Sequence, residues 1–419
     1  MKPVNWIVTQ IGSRERYAVP RAFEARGNLQ HFYTDIWSDG TAGFAKYLPR
    51  GDGFAQRFHP ALPRNKVTSF NLSGIYWSTR SVWRGKPKTV ADQYLEHAWI
   101  GRHFAQRVNK QLARTKFDPS ATAAFLFTTG ALETCQYFRS LNVPIVVDQI
   151  DPARTEEQMV REETQRWPGW EEFPGGISDK YFERLEEEWN LADLVLVNSN
   201  WSRSALLKQG ADARKIIVVP LCYEKGALPV PPPRERSDTA PLNVLFLGQI
   251  ILRKGIPYLF EAAAKLIGSN VKFVVAGRVG VSDKAIAAAP PNISILGRRH
   301  NHAETARLYS EADLFVLPTI SDGFALTQIE AMAFGLPVIA TPNCGDVVTH
   351  GLDGLIVPPR DSQALADAIA SLEADRRRLR EMSAKAMQTV SHRRFSLDGY
   401  ADAVEQALDA IRGNPVAVR

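Results

Sequence analysis

With 419 residues, 45% of them hydrophobic and 23% charged, the chain is long enough for two domains of ordinary size, each with its own core. No stretch approaches the roughly 20 consecutive apolar residues of a membrane span, and the N-terminus lacks a signal peptide's long apolar region, so a globular cytoplasmic protein is expected. Net charge is +6, and Cys135, Cys222 and Cys344 form no CxxC or Cys/His pattern, which suggests neither a disulfide framework nor a zinc site.

Residues 4–11 (VNWIVTQI) predict a first strand ending at Gly12. A loop through Arg14 then enters a helix with apolar positions at Ala18, Val19, Ala22 and Phe23. A glycine in a first turn before a helix suits an anion or a sugar hydroxyl. Residues 38–90 hold many Gly, Pro and basic residues with poor periodicity and predict an irregular, partly helical excursion. Between Lys46 and Lys116 basic residues far outnumber acidic ones, and aromatics such as Tyr76, Trp77, Tyr94, Trp99 and Phe104 are interleaved with them. Such a surface suits an anionic membrane, a lipid-linked acceptor or a nucleic acid, and equally a solvated basic face with its aromatics in the core. No nucleic-acid motif accompanies it, so a lipid or anionic acceptor ranks first.

Regular alternation returns with a strand at 124–128, a helix at 131–140 and a strand at 144–147. Asp148 and Asp151 leave that strand's carboxyl end, where parallel sheets keep their chemistry, although an Asp before Pro152 is also a common turn residue. The charged stretch 154–189 is helical in pattern, with Pro/Gly breaks near 167–170 and 174–176 that predict a mobile lid or an acceptor-binding element. Strands at 192–199 and 216–220 flank a short helix at 202–210, and the Pro-rich segment 224–241 reads as a linker.

Beyond the linker a second array begins, with strands near 242–247, 271–276, 293–296, 314–317, 338–340 and 355–357 and helices in the intervals. Alternation on both sides of a linker predicts two doubly wound domains facing a cleft. After the first of these strands come Gly248, Gln249, Arg253 and Lys254. Basic side chains at a strand end beside glycine suit a diphosphate, Arg by forked hydrogen bonds and Lys as a point charge.

The most informative run is 317–345, LPTISDGFALTQIEAMAFGLPVIATPNCG, which reads strand, polar turn, helix over 324–334, stop at Gly335 and Pro337, strand. Asp322 precedes the helix and Glu330 lies within it, roughly 9 Å from its start at 1.5 Å per residue. That is about the reach from a diphosphate to its ribose. The N–H groups of Phe324, Ala325 and Leu326 would receive phosphate or sugar oxygens, and Glu330 would accept from ribose hydroxyls. The plainer alternative is that Asp322 only caps the helix and Glu330 faces solvent.

This run resembles the donor-site signature of the retaining, family-four glycosyltransferases of GT-B fold (glycosyl transferases group 1). There an acidic residue, Gly-Phe-Gly and a second Glu eight positions on precede Gly-x-Pro-Val; here Asp322, Gly323, Phe324, Ala325 and Glu330 precede Gly335-Leu336-Pro337-Val338. Asp322 replaces the usual Glu and Ala325 stands where Gly is frequent. The resemblance implies an α/β protein of two Rossmann-like domains: an acceptor-side domain over 1–224, a linker over 225–241, a donor-binding domain over 242–394, and a closing helix at 395–413 that packs back on the first. It implies transfer of a hexose from a UDP- or GDP-linked sugar to a sugar or lipid-linked acceptor in cell-envelope, exopolysaccharide or glycolipid synthesis. Contact with the inner face of an anionic membrane, no cofactor and no nucleic acid are expected with it.

Residue by residue, the resemblance puts Gly12, Arg253, Lys254 and Gln249, the last at the family's Arg position, near the diphosphate. Arg298 and Arg299 lie beside the base, and Asp322 with Gly323 to Leu326 near the donor sugar and phosphates. Arg14 and Asp148 face the acceptor. Relatives carry a His-Asp pair where this chain has Ile150-Asp151, so Asp151, with Asp322, is the catalytic candidate. No Asp-x-Asp pair appears, and no metal is expected. A GT-B nucleotide-sugar epimerase and a non-catalytic sugar-binding relative are the alternatives; the lack of GxGxxG after the first strand argues against a dehydrogenase.

Overall fold

The computed structural model describes residues 4–38, 57–84, 89–171, 176–224, 226, 228, 238–298 and 301–413, with backbone alone for 81–84. Two parallel sheets are built from short apolar runs. The first contains β1 (Asn5–Gln10), β2 (Leu29–Thr34), β3 (Val67–Ser69), β4 (Thr122–Phe127), β5 (Ile145–Gln149), β6 (Leu194–Val197) and β7 (Ile216–Val218), in the order β3-β2-β1-β4-β5-β6-β7. The second contains β8 (Leu242–Leu247), β9 (Val271–Ala276), β10 (Ile293–Leu296), β11 (Leu314–Leu317), β12 (Val338–Ala340) and β13 (Gly354–Ile356), in the order β10-β9-β8-β11-β12-β13. Their central strands are apolar without alternation because helices cover both faces; every residue of β4 and β11 is buried. In each sheet the order reverses beside the first strand, between β1 and β4 and between β8 and β11. Ligand crevices of such sheets open there, beyond the carboxyl ends.

Residues 39–56 and 85–88 of the excursion expected at 38–90 lie outside the described residues, and the rest is more regular than its periodicity suggested. β3 extends the sheet in parallel with β2, and the helices Asn71–Arg84 and Val90–Leu112 follow. The second helix is started by a capping box in which Thr89 Oγ1 accepts from Asp92 N at 3.1 Å and Asp92 accepts from Thr89 N at 3.2 Å. Its inward residues Phe104, Val108 and Leu112 are buried against Ile7, Phe138 and Val147. The opposite face of the sheet packs Trp6 on Phe23 with ring centroids 4.4 Å apart. The helix Leu397–Gly413 completes that layer with Tyr400, Ala401, Val404 and Leu408. Arg26 pairs with Glu405 at 2.7 Å, also binds Asp402, and Asn28 donates to Glu405 at 2.6 Å, which ties the end of the chain to its beginning.

The segment after the helix Arg154–Arg166 is docked on the second domain, whereas the sequence suggested a mobile lid. Trp167 meets Tyr258 with ring centroids 5.9 Å apart, Ser282 Oγ donates to the Gly169 carbonyl at 2.7 Å, and Glu171 accepts from Leu252 N at 2.8 Å. Residues 172–175 of that segment, and most of the linker at 225–241, lie outside the described residues.

The turn at the first switch point is held from below by Glu188. Its carboxylate accepts from the N–H groups of Thr129 at 2.9 Å, Ala131 at 3.2 Å and Leu132 at 3.1 Å. Burial pushes that carboxyl up to about 7 against these bonds and the Arg184 charge. From above, the helix Val90–Leu112 crosses the same turn at Gly101, where an added Cβ would sit 2.0 Å from the Thr129 carbonyl oxygen. Gly101→Ala should therefore destabilise the chain by about 1–3 kcal/mol through overpacking. Chemical denaturation reads this, and an unchanged midpoint would show that the helix slides freely over the turn.

Candidate active site

The domains meet through backbone as much as side chains. Beyond β6, Ser199 Oγ donates to the Gly323 carbonyl at 2.7 Å, and Asn198 Nδ2 donates to the Ile150 carbonyl at 2.9 Å. A Cβ on Gly323 would lie 2.1 Å from that Ile150 oxygen, so only glycine admits this approach. Asn200 N donates to Asp346 at 2.7 Å and Trp201 Nε1 to Ser321 Oγ at 3.2 Å, which seats the start of the helix Asn200–Lys208 on the loops after β12 and β11.

Beside this contact lies a group of charges. Arg253 and Lys254 come from the short turn Leu252–Lys254 past β8, and Asp322 from the loop past β11. Lys254 Nζ is ion-paired with Asp322, and Arg253 Nη1 lies 3.5 Å from the same carboxylate and 3.1 Å from the Ser321 carbonyl. Burial alone would raise the Asp322 carboxyl, but the two cations outweigh it and hold it below the usual range. From the first domain Glu156, in the opening turn of the helix Arg154–Arg166, reaches Arg253 Nη1 at 3.2 Å and accepts from Ser321 Oγ at 3.2 Å. Here burial wins over Arg253, and with Asp151 and Asp322 nearby the carboxyl is pushed up to about 7.

The group faces a cleft of about 710 Å³ between the domains, lined by Gln249, Arg253 and Arg278 on one side and Tyr94, His97, Asp151 and Tyr181 on the other. A second cavity of about 350 Å³ shares Tyr94, His97, Asp151 and Tyr181 and extends to Thr9, Arg14 and Thr129 at the first switch point. Both volumes are of the size small ligands occupy. Asp151 stands where the two join. Its Oδ1 accepts from Ala153 N at 2.9 Å and from Gln149 Nε2 at 3.0 Å, and burial raises its carboxyl despite these bonds.

The other predicted residues divide. Gln249 and Arg14 are exposed to the cleft system. Glu330 is half-buried and accepts from Tyr309 Oη at 2.8 Å; burial raises its carboxyl. Its helix starts at Leu326 rather than Phe324, so Glu330 is roughly 6 Å along it. Ala325 N is taken by the Cys344 carbonyl at 3.1 Å and Gln328 N by Ala325 O at 3.1 Å, so the expected trio of donors loses Ala325, and Leu326 and Thr327 open the helix. Phe324 is buried, and Asp322 is no helix cap. Gly12 N donates to Asp35 at 2.9 Å and is not free for an anion. Asp148 is corrected outright: β5 runs on through Gln149, so Asp148 is an in-strand residue, 2% exposed, and lines neither cavity. Arg298 is exposed just past β10, two strands from β8, and Arg299 lies outside the described residues.

Sequence reasoning missed Glu156, Tyr94 and His97 as cleft residues. Glu156 stood among many acids of one charged helix, and only the Asp-Pro turn before it hinted that the helix starts at a sheet's active edge. Gly323→Ala should hold the domains apart, break the Ser199–Gly323 bond and lower stability by about 1–3 kcal/mol. Small-angle scattering would then give a larger radius of gyration; an unchanged radius would mean that the 323 loop yields instead.

Residues 241–375 match the family model described as "Glycosyl transferases group 1". A capsular polysaccharide biosynthesis glycosyltransferase of Staphylococcus aureus is 32% identical over 140 residues, 31% of this chain and 36% of that protein. The chain spans 36% or less of the length of the first curated relatives it matches. Two solved structures share the whole architecture: a sucrose-phosphate synthase from Thermosynechococcus elongatus, with TM-score 0.64, 18% identity and coverage of 98% of this chain and 99% of that one, and Anabaena HepE bound to UDP and glucose, with TM-score 0.61, 15% identity and coverage of 97% and 99%. At such identities the structures speak to fold alone. Residues 241–375 thus carry the match to the glycosyl transferases group 1 model, and the chain as a whole has the GT-B fold.

Proposed function

We propose that this chain is a retaining, metal-independent glycosyltransferase that moves a hexose from a nucleotide-diphosphate donor to the hydroxyl of an acceptor in cell-envelope or exopolysaccharide synthesis. The observation that carries this is the meeting of Arg253, Lys254 and Asp322 at the second sheet's switch point, across a ligand-sized cleft from Asp151. The group 1 match, the capsular relative and the UDP held by the HepE structure support it, and the epimerase alternative gains no support from them.

In this reading Arg253 and Lys254 neutralise the departing diphosphate, the N–H groups of Leu326 and Thr327 receive its oxygens, and Glu330 accepts from the ribose. Asp322, held ionised by the two cations, accepts from the donor sugar. The bond from anomeric carbon to phosphate oxygen breaks with its electron pair leaving on the phosphate. The acceptor oxygen bonds to that carbon on the same face, and its proton passes to the phosphate oxygen just freed. Asp151 orients the acceptor by accepting a hydrogen bond from a hydroxyl beside the attacking one. Two fixed cations at the leaving group do the work for which other transferases use a divalent ion.

The finer part of the proposal concerns the acceptor. The helix Asn71–Arg84 turns Leu72 (87% exposed), Ile75 (37%) and Tyr76 (53%) outward on one stripe, beside a groove of about 460 Å³ that includes Trp99, Arg107 and Lys110. Arg80 lies 3.6 Å over the Trp99 ring. Apolar side chains with cations around them fit the surface of an anionic bilayer. The helix that carries Trp99, Arg107 and Lys110 also lines the cleft with Tyr94 and His97, so a lipid-linked acceptor at the inner face of a membrane would lie within reach.

A thermal-shift screen against UDP-, GDP-, ADP- and dTDP-sugars should show stabilisation of a degree or more by one class, unaffected by EDTA. Glu330→Ala should weaken that donor by about ten- to a hundredfold, the worth of hydrogen bonds to a charged group; unchanged affinity would remove Glu330 from the site. In flotation assays the chain should follow phosphatidylglycerol vesicles and not phosphatidylcholine ones, and L72S with Y76S should abolish this. Equal recovery with both lipids would sink the membrane part.

A further inference from the structure

The donor reading puts a diphosphate on Arg253 and Lys254, yet an anion from the opposite domain already occupies that place. Arg253 Nη1 is 3.2 Å from Glu156 Oε2, which also accepts from Ser321 Oγ at 3.2 Å. Glu156 belongs to the first domain, and Arg253 and Ser321 to the second, so this carboxylate closes the cleft floor from across the gap. Two cations, Arg253 and Lys254, face two carboxylates, Asp322 and Glu156, and the group is balanced as it stands. A diphosphate adds two negative charges to a poorly hydrated site. One carboxylate must then lose its partner or its charge. Asp322 is held by both cations, and Glu156 by Arg253 alone.

We propose that Glu156 is a displaceable stand-in for the donor's diphosphate: it holds Arg253 across the cleft while the donor is absent, and on donor binding releases the guanidinium and takes a proton from solvent. The inference rests on the donor reading above. Glu156 is faced by Arg253, Lys254 and Asp322 from the second domain, by Asp151 from the turn before its own helix, and by Tyr94 from the helix Val90–Leu112. Burial keeps the Tyr94 phenol protonated and holds His97, on the cleft wall, below its usual range, so neither changes charge just above neutrality. Arg278 and Glu171 line the same cleft. Burial already lifts the Glu156 carboxyl to about 7 with Arg253 opposing the lift, and transfer of Arg253 to the diphosphate takes that opposition away. As pH rises through 7 Glu156 ionises, grips Arg253 and repels the donor, so affinity falls.

Calorimetric titration of the full chain with UDP-glucose and with GDP-mannose, at pH 6, 7 and 8 in buffers of different ionisation enthalpy, reads affinity and proton count together. The diester phosphates of these probes carry no proton that titrates in that range. For a carboxyl at about 7 the binding probe should take up about half a proton at pH 7 and bind about tenfold more weakly at pH 8 than at pH 6. In E156Q the proton uptake should vanish, affinity should be flat with pH, and at pH 8 it should be about tenfold tighter than in the natural protein. Binding with no proton uptake and no pH dependence in the natural protein overturns this proposal and leaves the donor reading standing. Weaker binding by E156Q at every pH overturns it too, since Glu156 would then be touching the donor. Failure of both probes to bind overturns the donor reading and this proposal together.

Discussion

The contact between Gly323 and the Ile150 carbonyl sets the spacing of the two halves of this chain. A side chain there would stand 2.1 Å from the oxygen, and the Ser199–Gly323 hydrogen bond of 2.7 Å depends on the same approach. Everything in the cleft follows from that spacing. Glu156 can touch Arg253 only because the loop past β11 is drawn against the end of β6, and Asp151 shares a cavity with Gln249 and Arg253 for the same reason. The turn Glu188 holds at the other switch point has the matching role within the first domain, fixing the floor of the smaller cavity.

The cleft's chemistry is one of competing desolvation. Each carboxyl in it is poorly hydrated, and its state depends on how many cations it commands. Asp322 commands two and stays charged, Glu156 shares one and titrates near neutrality, and Asp151, which accepts from an amide N–H and a glutamine, is raised. Groups of one chemical kind are thereby given different behaviour within a single site, which is how a cleft obtains both fixed charge and an adjustable one.

Much of the fold was legible because doubly covered strands are short apolar runs and their helices carry a different period. The second array could be placed almost strand by strand, and Asp322 and Glu330 were found from the strand, turn and helix around them. What stayed hidden was decided by distant packing. β3 is three residues long and not fully buried, too little for periodicity to register. The helix Leu326–Ala333 starts two residues late because Cys344, across the next strand, takes the Ala325 N–H. Asp148 was misplaced because β5 runs two residues past the expected end at Val147, which keeps that side chain within the covered sheet. Glu156 differs from its acidic neighbours only in what the other domain places opposite it, and no local pattern records that.

The closing helix has a consequence for how the molecule comes into being. Tyr400, Ala401, Val404 and Leu408 belong to the core that also holds Trp6, Phe23 and Phe125. A ribosome emits that core's first strand some four hundred residues before its last helix. The second domain, continuous in sequence, can therefore close while its predecessor still waits, reversing the usual N-to-C order of domain folding. Until the helix Leu397–Gly413 emerges, part of one face of the first sheet lacks its cover, and the nascent chain presents that apolar surface to whatever chaperone attends it.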